Sequence, residues 1–298
     1  MAPSKFRVGA VFPQMEIESD AVVIRDFAQA VEEMGFTHLV AYDHVIGARV
    51  ASPGSPFSVE SPFHEPLVLF SYLAAATRAL AFMSAVVILP QRQTVLFAKQ
   101  AANLDIFCSG RLQLGVGVGW NEIEYEALGV PFEKRGARLE DQLRLLRRLW
   151  TEPTLSETTA FHKITDAGLN PLPLQRPIPL WIGGNTELAM NRAARLGDGW
   201  IPFVPVREAP DVVGRFREAV KNAGRDPAKI GFENIINVGA MPGMGERRDA
   251  DAAARDVESW RDAGSNGVCI DTMFMGSRKA EQHLTVLHRI AERLKLKG

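Results

Sequence analysis

The feature that most constrains this chain is an alternation, repeated eight times, of a short apolar run with a longer stretch of helical periodicity. Parallel strands need a crossover of a dozen or more residues between them, and a helix supplies it, so this alternation implies a parallel sheet. Arg7–Phe12 is the first apolar run, closed by Pro13. From Asp20 to Gly35 the apolar residues Val23, Phe27, Ala30, Val31 and Met34 recur at helical spacing, with Ser19 or Asp20 as cap and Gly35 as stop. Strands are expected at Thr37–Ala41, within Leu80–Leu89, and at Arg111–Val116, Leu180–Ile182, Gly199–Ile201, Ile230–Val238 and Val268–Ile270. The helices between and after them include Glu65–Thr77, Thr94–Cys108 with Thr94 as cap, Arg135–Trp150, Thr186–Leu196, Val206–Ala223, Asp249–Ala263 and Arg278–Lys295. Eight short strands, each with its helix, predict an α/β fold, a closed (β/α)8 TIM barrel, as one domain over residues 1–298. A doubly wound open sheet is the alternative. Two segments stand outside the alternation. A Pro-, Gly- and Ser-rich loop runs from about Tyr42 to His64 after strand 2, and a polar, proline-rich insertion near residues 153–177 has room for a small hairpin.

Charge and cysteine content exclude several classes of function. Lys+Arg number 34 against 35 Asp+Glu, so no basic surplus is available to neutralise a phosphate backbone, and no nucleic-acid partner is expected. Pro66–Pro90 is almost uncharged, but Arg78 interrupts it and its halves differ in character. It reads as a buried helix and strand, and no membrane partner is expected. Val8–Phe12 is too short for the apolar region of a signal peptide, and Pro13 breaks it. Two cysteines, Cys108 and Cys269, make neither a disulfide framework nor a four-cysteine zinc site, which fits a cytoplasmic protein.

In a barrel of this kind the active site gathers at the C-terminal ends of the strands. That rule nominates Asp43 and His44 after strand 2; Ala85, Val86 and Arg92 around strand 3; and Gly117, Gly119 and Trp120 after strand 4. It also nominates Gly183, Gly184 and Asn185 after strand 5, and Asn237 and Asp271 further on. His44 ordinarily titrates near neutrality, so it is either a proton-transfer group or a loop histidine bonded to its neighbours. Gly115-Val-Gly-Val-Gly-Trp120 lacks the third glycine of a dinucleotide fingerprint and follows the fourth strand, so it is either a close-approach surface for a flat ligand or a tight βα turn. Ile182-Gly-Gly-Asn-Thr186 enters a helix start, where free amides suit an anion; the bland alternative is a turn capped by Asn185 or Thr186. His38 and His64 read as structural, and His283 and His288 lie five apart on a helix and share no face. No lysine falls at a strand end to form a Schiff base, no metal-ligand set is apparent, and no GxSxG elbow is present. What remains is a neutral, glycine-lined, aromatic mouth with one histidine, suited to a planar organic cofactor.

At these residues the chain resembles the luciferase-like monooxygenase family. The resemblance rests on Leu89-Pro-Gln-Arg92, Ala98-Lys-Gln-Ala101, Ser109-Gly-Arg-Leu112, Leu114-Gly-Val-Gly-Val-Gly-Trp120 and Ala127-Leu-Gly-Val-Pro131. It continues through Leu149-Trp-Thr151, Pro179-Leu-Trp-Ile-Gly-Gly184 and Ala193-Ala-Arg-Leu-Gly-Asp-Gly-Trp200. Within the family, Tyr42-Asp43-His44 looks like the coenzyme F420 (deazaflavin) branch. The resemblance implies that His44 sits near the hydride-transfer position as acid, base or substrate anchor, and that Asp43 orients or contacts the ring. It implies a non-prolyl cis peptide under the ring at Ala85–Val86, or at Val86–Val87. It also implies that Gly117, Gly119, Gly183 and Gly184 run along the cofactor's tail and phosphate. Some deazaflavin members carry a glutamate where Trp120 stands, and an indole cannot transfer a proton, so a sugar-phosphate dehydrogenase role is not implied. Glu122 or Glu124 could substitute for that acid, but each reads as a residue of a solvated helix face.

The expectation is therefore a coenzyme F420-dependent oxidoreductase moving a hydride to or from a small organic substrate, with a homodimer implied by the family. The alternatives are a monooxygenase using reduced FMN, or a non-catalytic flavin-binding barrel, against which the retained His44 and glycine turns argue.

Overall fold

Each apolar run becomes a stave, and each stave pairs parallel with its neighbours. In the computed structural model, which describes residues 6–49, 57–240 and 247–297, the chain opens with β1 (Arg7–Val11), α1 (Ala21–Glu33), β2 (His38–Ala41) and α2 (Pro66–Ala76). Next come β3 (Ala81–Ser84), β4 (Val87–Ile88), α3 (Thr94–Phe107), β5 (Leu112–Gly117), α4 (Glu122–Ala127) and α5 (Arg135–Thr151). The insertion forms β6 (Leu155–Thr158) and β7 (Lys163–Ala167), an antiparallel hairpin. The remainder is β8 (Leu180–Gly183), α6 (Glu187–Leu196), β9 (Gly199–Ile201), α7 (Ala209–Asn222), β10 (Gly231–Asn237), α8 (Ala250–Asp262), β11 (Gly267–Asp271) and α9 (Ala280–Leu294).

The sheet runs β3-β2-β1-β11-β10-β9-β8-β5-β4, and an additional β3–β5 pairing closes it. The closed (β/α)8 barrel holds and the open sheet does not. One stave is broken in two: β3 pairs with β5 through Phe82↔Leu112, and β4 pairs with the same strand through Val87↔Val116. Between the halves lies the Ala85–Val86 peptide, which is cis, at the first of the two expected positions.

Strand periodicity sorts side chains between two cores. The larger one fills the space between staves and helices, from Phe12 and Phe27 through Leu39, Phe70 and Leu114 to Trp260. The smaller one occupies the barrel interior and contains Val11, Val40, Met83, Ile201, Ile235 and Cys269. Helix starts follow local chemistry where a cap is present: Asp20 accepts from the Val22 and Val23 amides, and Thr186 accepts from Ala189. Thr94 does not cap α3 as expected. Its hydroxyl meets His162 Nε2 at 2.6 Å and accepts from Gln142 Nε2 at 2.9 Å, because the β6–β7 hairpin folds back onto this helix start and offers a tertiary partner. His162 Nδ1 in turn lies 2.6 Å from Asp141 of α5, so one histidine pins the insertion to two helices.

Candidate active site

A cavity of about 770 Å³ opens at the C-terminal ends of the staves. Asp43, His44, Ala85, Val86, Gly117, Gly119, Trp120, Gly183, Gly184 and Asn185 all line it. The barrel rule alone therefore gathers residues from four separate stretches of sequence around one space.

His44 is held by a partner that reads, in sequence, as solvated. Its Nδ1 lies 2.9 Å from Glu124 Oε1. Glu124 is only 1% exposed, and Gln91 donates to its other oxygen at 3.2 Å. The helix carrying Glu124, α4, has six residues, too few to display a face by periodicity. Its Tyr125 hydroxyl donates to the Val118 carbonyl at 2.6 Å, which folds the helix back against the turn after β5 and carries Glu124 inward. Burial pushes the Glu124 carboxyl upward, but the hydrogen bond and charge of His44, joined by the hydrogen bonds of Gln91 and the Val45 amide, outweigh it and hold the group below its ordinary value. A carboxylate only accepts, so Nδ1 carries the hydrogen of this bond and Nε2 is the nitrogen left to exchange a proton. Phe57 and Phe63 pack on the imidazole at centroid distances of 4.9 and 4.8 Å, and Trp120 at 6.0 Å. Behind this aromatic group lies a second cavity of about 240 Å³, which shares His44, Phe57 and Trp120 with the first and adds Val59 and Phe63.

Asp43 is oriented away from free chemistry. Its Oδ2 accepts from the Ile88 amide at 2.9 Å and its Oδ1 from Arg92 at 2.8 Å, while Arg92 also reaches Glu65 at 2.9 Å. The side chain ties the end of β2 to β4, just beyond Val86.

The glycines are explained by protein packing. A Cβ on Gly117 would lie 2.6 Å from Val86 Cγ2, one on Gly183 would lie 2.5 Å from Val86 Cγ1, and one on Gly119 would lie 2.6 Å from Ile88 Cγ2. Val86 thus occupies a slot made by two missing side chains. Gly184 has a φ of +119°, a conformation open to glycine. Asn185 joins β8 to β9: its Nδ2 donates to the Phe203 carbonyl at 2.8 Å and its Oδ1 accepts from the Phe203 amide at 2.7 Å.

One end of the cavity is cationic, a feature the strand-end rule misses. Lys134, Arg135 and Arg192 line it beside the starts of α5 and α6. Two helix N-termini with Lys134 and Arg135 favour a phosphate or carboxylate there, and Arg192 adds a third cation whose Nε also pairs with Glu140 at 3.3 Å. These residues sit on helix starts or within a helix, where sequence alone gives no reason to look.

At the opposite end of the barrel, His38, Glu233 and Cys269 converge, all buried, with ligand-type atoms within 4.8 Å of one another. The His38 Nε2–Glu233 Oε1 distance is 2.5 Å, and the Cys269 thiol donates to the same oxygen at 2.9 Å. Arg7 pairs with the other oxygen and also donates to Gln113 at 2.8 Å. Burial raises Glu233, but His38 and Arg7 together bring it down to about 2.

The chain matches the model of the luciferase-like monooxygenase family over residues 8–293, and it belongs to that family. An uncharacterized protein of Mycobacterium tuberculosis is 32% identical over 83% of this chain and 87% of its own length. An F420-dependent hydroxymycolic acid dehydrogenase of the same organism is 28% identical over 87% of this chain and 68% of its own. An FMNH2-dependent dimethylsulfone monooxygenase of Pseudomonas putida is 35% identical over 45% of this chain and 38% of its own. Among solved structures, the monooxygenase RslO1 from Streptomyces bottropensis superimposes with a TM-score of 0.80 at 18% identity, covering 97% of this chain and 98% of its own.

Proposed function

We propose that this member of the luciferase-like monooxygenase family is an oxidoreductase that binds coenzyme F420 and moves a hydride between the deazaflavin and a small organic substrate. The observation that carries the reading is the His44–Glu124 pair, with His44 on the cavity wall and Glu124 buried behind it. A hydride leaving or reaching a substrate carbon must be matched by a proton at the substrate oxygen. An imidazole braced by a buried carboxylate is built for that exchange. When bound, the deazaflavin supplies the hydride-carrying carbon.

The residues present fit such a group. Val86, Ala85 and the flanking glycines offer a small-residue surface for a flat ring, and Lys134, Arg135 and Arg192 suit an acidic, phosphate-bearing tail. His44 Nε2 would hold the proton exchanged with a substrate hydroxyl or carbonyl, Glu124 would stabilise the imidazolium, and Gln91 would fix Glu124. Phe57, Phe63 and Trp120 pack around the imidazole. The dehydrogenase relative, which matches most of this chain, supports the same reading.

Titration by fluorescence quenching tests it. Coenzyme F420 is expected to bind at least about tenfold more tightly than FMN, or about 1.4 kcal/mol. Sub-micromolar FMN binding with no measurable affinity for the deazaflavin would overturn this reading in favour of a monooxygenase using reduced FMN.

A further inference from the structure

Tyr42 precedes Asp43 and His44 but serves neither. It continues the inward alternation of His38 and Val40 and packs in the barrel mouth with Ala85, Val86 and Phe203. Its hydroxyl donates to Asp271 Oδ2 at 2.8 Å. Tyr42 lines the large cavity, whereas Asp271 lies wholly buried behind it at the end of β11. The other carboxylate oxygen, Oδ1, accepts from the Met273 amide at 2.8 Å, and Asn237 Nδ2 on β10 is 3.4 Å from Oδ2.

Among the described residues no cation pairs with Asp271. The titratable groups facing it are Tyr42 just after β2, the Cys269 thiol on β11, and Glu16 in the turn after β1. His283 of α9 bonds the neighbouring Thr272 hydroxyl at 2.9 Å. Burial and the charge of Glu16 raise the Asp271 carboxyl to about 6, against the pull of its hydrogen bonds. A buried carboxyl without a countercharge is a costly way to join two strands. An apolar pair would serve the fold better, which points to a use for the hydroxyl.

We propose that Tyr42 is a ligand contact whose hydrogen-bonding sense is set by Asp271. This rests on the reading that the cavity holds a flavin or deazaflavin. With Asp271 ionised, the phenol proton points to Oδ2 and the phenol oxygen accepts from an N–H or O–H group of the heterocycle. A proton arriving at Asp271 goes to Oδ2, because the Tyr42 oxygen there can accept it, whereas Oδ1 faces only the Met273 N–H, which cannot. That new O–H donates to Tyr42, whose own O–H then turns toward the ligand and meets a donor with a donor. Acidification therefore weakens binding of a donor-bearing ligand.

The near-isosteric Asp271→Asn substitution mimics the protonated form at any pH. The Met273 amide holds the new carbonyl oxygen, so the NH2 group stands where Oδ2 stood and donates to Tyr42. Oxidised FMN and coenzyme F420 serve as probes in fluorescence titrations from pH 5 to 7.5. The ratio of wild-type to variant affinity cancels each ligand's own ionisation. At pH 7.5 Asp271→Asn is expected to bind about tenfold more weakly, the worth of one hydrogen bond turned to a clash. At pH 5 the two proteins should agree within about twofold. Tyr42→Phe should also lose about three- to tenfold at pH 7.5, and that loss should vanish at pH 5. A wild-type to variant ratio that stays constant across this range for both substitutions overturns the proposal alone. If neither heterocycle binds the wild-type protein, the functional reading fails and takes this proposal with it.

Discussion

Replacing Gly183 with alanine asks whether a strand-end glycine serves the ligand or the chain. The new Cβ would lie 2.5 Å from Val86 Cγ1, 3.3 Å from its Cγ2 and 3.4 Å from its Cβ. Carbon atoms rest at about 3.5–4.0 Å, so the closest contact is short by about 1 Å. Valine is stiff about χ1, and turning it offers no relief, because Gly117 leaves room for Cγ2 only where that methyl now sits. Overpacking of this kind costs about 1–3 kcal/mol. Val86→Ala removes both offending methyl groups. A double-mutant cycle by thermal or urea denaturation should therefore show a favourable coupling of about 1–3 kcal/mol between the two substitutions. Gly184→Ala is the control. Its cost comes from a φ of +119° and a Cβ 3.1 Å from that of Ala189, and Val86→Ala should reduce neither. Strictly additive stabilities for Gly183→Ala and Val86→Ala would refute the packing argument. So would a Gly183→Ala variant of unchanged stability that has lost cofactor affinity, since that glycine would then serve the approach of the ligand.

Two further outcomes are expected. His44→Ala should fold normally and lower turnover by about 10²-fold, while Glu124→Gln, which keeps the shape but removes the charge behind the imidazole, should lower it by about tenfold and move the pH–rate profile; full activity at all pH values in both variants would remove the pair from the chemistry. Asp271 should make stability fall as pH rises: its folded value of about 6 lies above the ordinary 3.8, so the folded state keeps a proton that the unfolded chain has released. Relative to Asp271→Asn, the wild type should match best below about pH 4 and lose ground between pH 4 and 6. Above pH 6 it should stay about 3 kcal/mol worse, as read from urea midpoints at each pH; a difference that does not change between pH 4 and 7 would contradict the assigned burial.

The sequence shows the staves because each is a short run of apolar residues in a regular alternation, and barrel closure follows from their number. The strand-end rule brings Asp43, His44, Val86 and Gly183 to one cavity without reference to any relative. It is silent about the groups that hold those residues. Glu124 sits on a helix of six residues, too short for periodicity to expose a buried face. The Asp43–Arg92 contact joins residues 49 apart, and the Tyr42–Asp271 contact joins residues 229 apart. Nothing local to either sequence neighbourhood announces them. Thr94 shows the same limit from the other side: its local role as a cap yields to a histidine that a distant hairpin delivers. Glycines 117 and 183 are visible as unusual residues, but what they accommodate is a side chain on another stave, which only the closed barrel brings near.

The barrel interior holds two polar assemblies, Arg7–Glu233–His38–Cys269 below and Tyr42–Asp271–Asn237 above, and among the described residues neither hydrogen-bonds His44, whose Nδ1 is taken by Glu124. Behind Glu124 stands the Gln91 amide, a hydrogen-bond donor that does not titrate and so relays no proton. If His44 exchanges protons as proposed, the cavity is a cul-de-sac, and every proton consumed or released there must use the mouth through which substrate enters and product departs. Closing that mouth over a bound substrate would seal the proton account of the turnover until it reopened. Proton exchange with the solvent would then keep the rhythm of product release rather than that of the chemical step.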